Sequence, residues 1–331
     1  MAATKGDETM TEFGENGAGV ICFAHPAYQL AEAYTAQPGQ RIIVARDAEE
    51  LKAALPETGI LVVSGLWRNE YAETAPHLRF SQSVSAGTDQ FSRDVLRNRG
   101  IRLASAQGAN ERVVAEHAMA LILGLTRHLG PARDNQREHR WTGMIGNPAA
   151  RQDELGGKTI VIVGLGRIGN RLARLAKAFD LHVVGVRRSP QNSGDIADEI
   201  VRPEALIDVL RRADILALTC PLTPETERLI RAEHFAAMKS SAFLINAARG
   251  KVVDEPALIK ALQAGQIGGA GLDVFVEEPL PDASPLWDFP NVLVTPHSAG
   301  ETSRYEANVI SILRENLGRL ARGEELRNAI V

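Results

Sequence analysis

The chain has 331 residues and is 44% apolar, enough for two globular domains with cores of their own and too apolar for a disordered protein. A formal net charge of −4, with Lys and Arg dispersed rather than massed, argues against nucleic acid as a partner. Cys22 and Cys220 stand far apart without metal-ligand spacing, and no apolar run approaches the ~20 residues that span a bilayer, so a reducing cytoplasm is expected, with no disulfides, metal or membrane.

Residues 1–18 are polar and Gly-rich, without the apolar stretch of a secretory leader, and read as a mobile tail. From Gly19 onward GVICFA, RIIVA, GILVVSG, LRFSQS and IRLASA read as strands, with helices near Tyr28 to Ala36 and across Glu49 to Ala54. Strands alternating with helices predict a parallel α/β unit over residues 19–108. Asn110 to Leu129 has apolar residues on most faces, which predicts a helix buried on more than one side and serving as a connector, between domains or against another subunit.

A second doubly wound unit, residues 109–298, follows in KTIVIVG, HVVGV, DILALTC, AFLINAARG, GGAGLDVF and NVLVTPH. One amphipathic helix remains, roughly Thr302 to Arg322, with apolar Val309, Ile310, Ile312, Leu313, Leu317 and Leu320. A lone helix needs a domain to pack on, so residues 299–331 are expected to return to the first unit, with a cleft where the chain crosses twice.

The GLGRIG run, Gly164, Leu165, Gly166, Arg167, Ile168 and Gly169, follows the apolar TIVIV and precedes a helical pattern carried by Leu172, Leu175, Ala176 and Phe179. That order of strand, glycine turn and helix is the context a dinucleotide fingerprint requires: Gly164 for the tight turn, Gly166 for backbone approach to a pyrophosphate, Gly169 for close packing of helix on strand. The helix N-terminus adds amides and positive dipole. The next strand ends at Arg187, 18 residues past Gly169, where an NAD site would place an acid on the ribose hydroxyls. Arg187 and Arg188 instead offer planar donors suited to a phosphate dianion, and Ser189 adds a hydroxyl. NADPH, with NADP+ as its oxidised form, is therefore the expected cofactor, and NADH/NAD+ the secondary one.

Arg249 in NAARG, Glu278 in LDVFVEEP and His297 in TPHSAG each follow a predicted strand, and strand ends of an open parallel sheet line its ligand crevice. An Arg can clamp a carboxylate, a His can move a proton near neutral pH, and a Glu can orient the imidazole and favour its charged form. The set suits hydride transfer at a carbonyl beside a carboxylate.

GLGRIG, the run from LTCPLTPETERLI to FLINAARGKVVDEPALIKAL, GGAGLDVFVEEPLP, SPLWDFPNVLVTPH and the earlier VVAEHA together resemble the D-isomer-specific 2-hydroxyacid dehydrogenase family from about Gly87 onward. The resemblance implies two Rossmann-like domains with the active site in the cleft between them, and a homodimer formed largely through the cofactor domain. It implies that Arg249 binds the substrate's carboxylate and carbonyl oxygen, that His297 is the acid/base, and that Glu278 is its partner, though spacing alone leaves Glu277 open. It further implies that Asp273 meets the nicotinamide carboxamide and that Ala86 and Gly87 offer amides to the substrate carboxylate. Pro221, Ala247 and the loop after His297, including Gly300, would line the cofactor. The Arg187 and Arg188 pair resembles NADPH-preferring glyoxylate/hydroxypyruvate reductases of the family. The implied activity is reduction of a small 2-keto acid to the D-2-hydroxy acid, and phosphoglycerate is not expected because no regulatory domain follows the last helix.

Trp67, Trp141 and Trp287 read as core or interface packing residues, although Trp67 and Trp141 could shape a substrate pocket, and His117, on an apolar helix, reads as a hydrogen-bonded core residue. A short-chain dehydrogenase is excluded, since none of Tyr28, Tyr34, Tyr71 and Tyr305 has Lys four residues on. The rival from another class is a dinucleotide-sensing co-repressor, disfavoured because no recruitment segment is present.

Overall fold

The computed structural model describes residues 19–189 and 196–331, so the expected tail over 1–18 lies outside the described residues. The chain divides into two compact units: the described residues up to Asn110 together with Thr302–Val331, and Glu111–Glu301. Both are parallel α/β sheets covered on two faces.

In the first unit β1 (Val20–Ala24), β2 (Arg41–Ala45), β3 (Ile60–Val63), β4 (Phe80–Ser83) and β5 (Arg102–Ala104) form a five-stranded sheet in the order β2-β1-β3-β4-β5. Strand side chains alternate between faces. Ile21, Phe23, Ile60 and Val62 therefore enter one core cluster, while Cys22, Ala24, Leu61 and Val63 enter another with Leu51, Leu96 and Trp67. The expected helix at Tyr28 to Ala36 is only one turn, Leu30–Ala33.

The last helix, Tyr305–Ala321, packs Val309, Ile310, Ile312 and Leu313 onto the first of those clusters. Polar bonds fix its position: the Tyr305 hydroxyl donates to the Val84 carbonyl at 2.8 Å, and the buried Asn316 amide donates to the Gln82 side chain at 2.9 Å. The chain end then runs beside β5, where Leu103 N–H donates to the Val331 carbonyl and covers a sheet edge that would otherwise be open.

In the second unit β6 (Thr159–Val163), β7 (His182–Val186), β8 (Glu199–Val201), β9 (Ile215–Leu218), β10 (Phe243–Asn246), β11 (Gly269–Leu272) and β12 (Val292–Val294) form a seven-stranded parallel sheet. Its order is β12-β11-β10-β9-β6-β7-β8, so the direction of strand addition reverses between β6 and β9, the position where open α/β sheets hold ligands. The edge strand β8 was not anticipated, because its three residues include an acid and lack an apolar run.

The helix expected over Asn110 to Leu129 is two helices, Glu111–Thr126 and Leu129–Arg137. Ala115, Ala118, Met119, Leu121 and Ile122 of the first pack into this unit's own core with Ile160, Leu172 and Ile245, which accounts for burial on several sides without a second subunit. Phe179, expected on the buried stripe of the helix Arg167–Ala178, is 39% exposed. It is the C-cap residue, and at the end of the helix the side chain leaves the stripe that Leu172 and Ala176 follow.

Candidate active site

The first half of the site is built at the end of β6. Gly164 has φ +98, which L side chains rarely adopt, and a Cβ there would lie 2.7 Å from the Cys220 backbone. The Thr219 hydroxyl donates to the Gly164 carbonyl at 2.8 Å and holds the turn; no sequence signal singled Thr219 out. A Cβ on Gly169 would meet the Gly164 carbonyl oxygen at 2.2 Å, so helix and turn pack this closely only with glycine. Gly166, by contrast, faces open space and caps the helix Arg167–Ala178 without a side-chain bond. The first-turn amides are thus left for a ligand at the positive end of the helix.

A pocket of about 340 Å³ opens there, lined by Gly164, Gly166, Arg187, Arg188, Ser189 and Pro221 among others. Leu165 also lines it, while its side chain packs over Gly185, where a Cβ would lie 1.9 Å away. Arg167 is exposed at the start of the helix, outside the pocket lining, and Ile168 packs toward the core. Arg187 is half-buried and Arg188 and Ser189 are exposed. In the loop after β9 the sequence pointed to Pro221 alone, and Thr223, Glu225 and Thr226 of the same wall carried no signal. There Glu225 accepts a 2.7 Å bond from the Thr223 hydroxyl, which holds its carboxyl below the usual carboxylate range, and the charge of Arg188 acts the same way. Cys220 forms part of the floor, its thiol pushed up to about 11 by burial, so it is a neutral wall rather than a nucleophile. Glycine cradle, uncapped helix start and basic rim fit a nicotinamide dinucleotide.

The second half lies at the ends of β10, β11 and β12, three adjacent strands. Arg249 follows β10, its guanidinium donating to the Ala248 carbonyl at 2.7 Å, and Ala247 sits two residues earlier in the same turn. A Cβ on Gly250 would lie 1.9 Å from the Phe275 backbone, so the turn bearing Arg249 lies directly against the loop after β11. In that loop Glu278 accepts from the Phe275 amide at 3.0 Å through Oε1 and meets His297 Nδ1 at 2.7 Å through Oε2. Glu278, and not its neighbour Glu277, is therefore the carboxylate on the histidine. One carboxylate oxygen fixes the loop and the other fixes the ring, which leaves Nε2 as the imidazole nitrogen free for chemistry.

His297 itself has φ +53, an uncommon backbone state for a residue with a side chain. Asp273 holds it there. The His297 amide donates to the Asp273 carbonyl at 2.8 Å, the Ser298 amide to Oδ1 at 2.9 Å and the Ala299 amide to Oδ2 at 3.0 Å. Asp273 is 1% exposed and also accepts from the Thr295 hydroxyl, so its carboxylate has at most one lone pair left for a further donor. Gly300 follows at the end of this loop.

Ala86 and Gly87 belong to the first unit, in the loop after β4. Trp67 is a packing residue of that unit, 1% exposed and stacked on Phe91 at 5.5 Å between ring centroids. The other two tryptophans do not pack in this chain's core, and the interface half of the expectation is left open. Trp141 is 95% exposed in this chain, and Trp287, 51% exposed, lines a largely apolar pocket with Phe275, Leu280, Glu278 and His297. His117 is not sealed in a core either: its side chain is 22% exposed, and its Nε2 lies 2.9 Å from the Thr295 hydroxyl. Among the described residues no helix is long and apolar enough to cross a membrane, and no cluster of three or more His, Cys, Asp or Glu side chains could hold a metal ion.

Residues 119–299, more than half the chain, match the family model described as the D-isomer specific 2-hydroxyacid dehydrogenase, NAD binding domain. The chain is 38% identical over 283 residues to a glyoxylate/hydroxypyruvate reductase B of Yersinia enterocolitica, covering 85% of this chain and 86% of that protein. Among solved structures, the TT0316 protein of Thermus thermophilus superposes with a TM-score of 0.82 at 31% identity, covering 94% of this chain and 100% of the other. An acyclic imino acid reductase, Bsp5, solved with NADPH and D-Arg, superposes with a TM-score of 0.80 at 25% identity, covering the same 94% of this chain and 100% of its own. With its sheet order, its glycine turn and its matched sequence all in agreement, the chain belongs to the D-isomer specific 2-hydroxyacid dehydrogenase family of oxidoreductases.

Proposed function

We propose that this protein reduces small 2-keto acids, of the glyoxylate and hydroxypyruvate kind, to D-2-hydroxy acids with NADPH preferred over NADH. The observation that carries the reading is the 2.7 Å pair of His297 Nδ1 and Glu278 Oε2, on a strand-end loop next to that of Arg249. The 38% identical Yersinia reductase supports the substrate class, and the basic rim of Arg187, Arg188 and Ser189 supports the cofactor preference.

The dinucleotide, when bound, supplies hydride for C2 of the keto acid. Arg249 pairs its guanidinium with the substrate carboxylate and draws charge toward the carbonyl oxygen. His297, oriented by Glu278 through Nδ1, gives the proton on Nε2 to that oxygen as it becomes a hydroxyl. The Glu278 carboxylate, 2.7 Å from Nδ1, compensates the charge of the imidazolium before transfer. The family resemblance adds the amides of Ala86 and Gly87 as further donors to the carboxylate and Asp273, with its remaining lone pair, as acceptor for the carboxamide. Pro221, Ala247 and Gly300 stand along the cofactor in this reading. We assign Glu111–Glu301 to the dinucleotide and the other unit to the substrate, and include the family's homodimer and a cytoplasmic setting in the proposal.

The test is oxidation of NADPH and, in parallel, NADH against glyoxylate, hydroxypyruvate, pyruvate and branched 2-keto acids, followed by absorbance. Turnover with NADPH favoured supports the reading. Tight dinucleotide binding without turnover on any of these acids overturns it in favour of a sensing role.

A further inference from the structure

His117 lies part-buried on the helix Glu111–Thr126, between the buried Val114, Ala115, Ala118 and Met119, and the mechanism above does not use it. Its surroundings are nonetheless specific. Nε2 is 2.9 Å from Thr295 Oγ1 and 3.6 Å from Asp273 Oδ1, and Thr295 Oγ1 donates to that same Oδ1 at 2.6 Å. The direction of each bond follows from counting hydrogens. An ionised carboxylate only accepts, so the single hydroxyl hydrogen of Thr295 is spent on Asp273. The threonine oxygen is then left to accept, and His117 must be the donor through Nε2–H. The chain of bonds runs from His117 to Thr295 to Asp273.

At its far end Asp273 holds three successive amides, those of His297, Ser298 and Ala299. These amides fix the turn in which His297 takes its left-handed backbone conformation. We propose that His117 is a positioning residue for proton transfer: by donating to Thr295 it keeps the hydroxyl hydrogen on Asp273 and so keeps the Asp273 carboxylate aimed at the turn that presents His297. Without the donor, the threonine oxygen loses the bond that fixes its side chain, and the carboxylate then rests on a hydroxyl that is less firmly held. The imidazole then samples positions off the Glu278 axis, and a displacement of this size acts on the rate of chemistry more than on binding. The inference rests on His297 being the proton donor.

The experiment compares His117→Phe, which keeps a ring and removes the donor, with His117→Gln, whose amide nitrogen occupies about the place of Nε2. The same measurements are made on Thr295→Val and on the double variant His117→Phe/Thr295→Val. Hydrogen exchange at the Ser298 and Ala299 amides is read on the chain without added dinucleotide, which tests the relay apart from activity. Exchange should quicken about tenfold in His117→Phe and Thr295→Val, and kcat should fall about tenfold with the dinucleotide KM within about twofold. His117→Gln should recover most of both, and the double variant should be no worse than either single one, because one chain of bonds is broken only once.

Unchanged exchange at these two amides, equal behaviour of the Phe and Gln variants, or additive losses in the double variant would each overturn the proposal. His297→Asn separates the two readings. If that variant keeps full turnover, the assignment of the proton donor fails, whatever the exchange data say about the relay.

Discussion

The two halves of the seven-stranded sheet solve different problems by different means. On the β6 to β8 side the ligand surface is mostly backbone: a glycine turn, an uncapped helix start and a rim of charge at the end of β7. On the β10 to β12 side it is side chain: an arginine, a glutamate and a histidine from three loops, the last two joined by a bond that crosses from one strand end to the next. Backbone recognition can be written in six consecutive residues, because the turn and the helix that follow it are local. A catalytic set cannot, because proton transfer and carboxylate binding require different side chains that converge on one small molecule.

This contrast predicts which losses separate and which do not. His297→Asn, on the side-chain half, should lower turnover by about 10²- to 10⁴-fold while dinucleotide affinity, measured by fluorescence titration, stays within about twofold. Comparable losses in both quantities would show that the two halves do not act independently. Gly169→Val, on the backbone half, forces a Cβ to within 2.2 Å of the Gly164 carbonyl oxygen. It should destabilise the fold by about 2–3 kcal/mol in denaturant and abolish measurable dinucleotide binding.

Smaller effects sharpen the comparison within the backbone half. Replacing Arg187 and Arg188 together by Ala should raise the NADPH KM by about 10- to 100-fold, the worth of charge-assisted bonds to a phosphate, and leave that of NADH within about twofold. Equal rises for both cofactors would assign the arginines to general solvation of the strand end. Glu225→Gln removes an acid from the same pocket, one on which the charge of Arg188 acts, and should lower the NADPH KM by about two- to fourfold, the scale of an exposed charge pair. A rise instead would make Glu225 a ligand of the ribose rather than a competitor for the arginine.

The five-stranded unit was legible in outline for a related reason. Alternation such as Ile21, Cys22, Phe23, Ala24 sends neighbours to opposite faces, and β-branched runs between helical text announce a parallel sheet. Tryptophans are less legible than aliphatic residues, because core and interface packing share one local pattern. Trp67 is sealed by Phe91 and Tyr71, whereas Trp141 and Trp287 are exposed, and nothing in the residues flanking them distinguishes the two cases.

What the sequence determined by itself was whatever depends on a few neighbouring residues: strand periodicity, the GLGRIG turn, the basic pair after HVVGV, and the candidates Arg249, Glu278 and His297 at strand ends. Only the tertiary structure decided that Glu278 rather than Glu277 meets His297 and that Asp273 spends its carboxylate on the Ser298 and Ala299 amides. It alone brought His117, 178 residues away in the chain, onto the Thr295 hydroxyl. The physical reason is range. Turns and alternation are set by sterics over a handful of bonds, while the direction of a hydrogen bond between loops depends on strand order and on where a helix lies against the sheet, which no local pattern encodes.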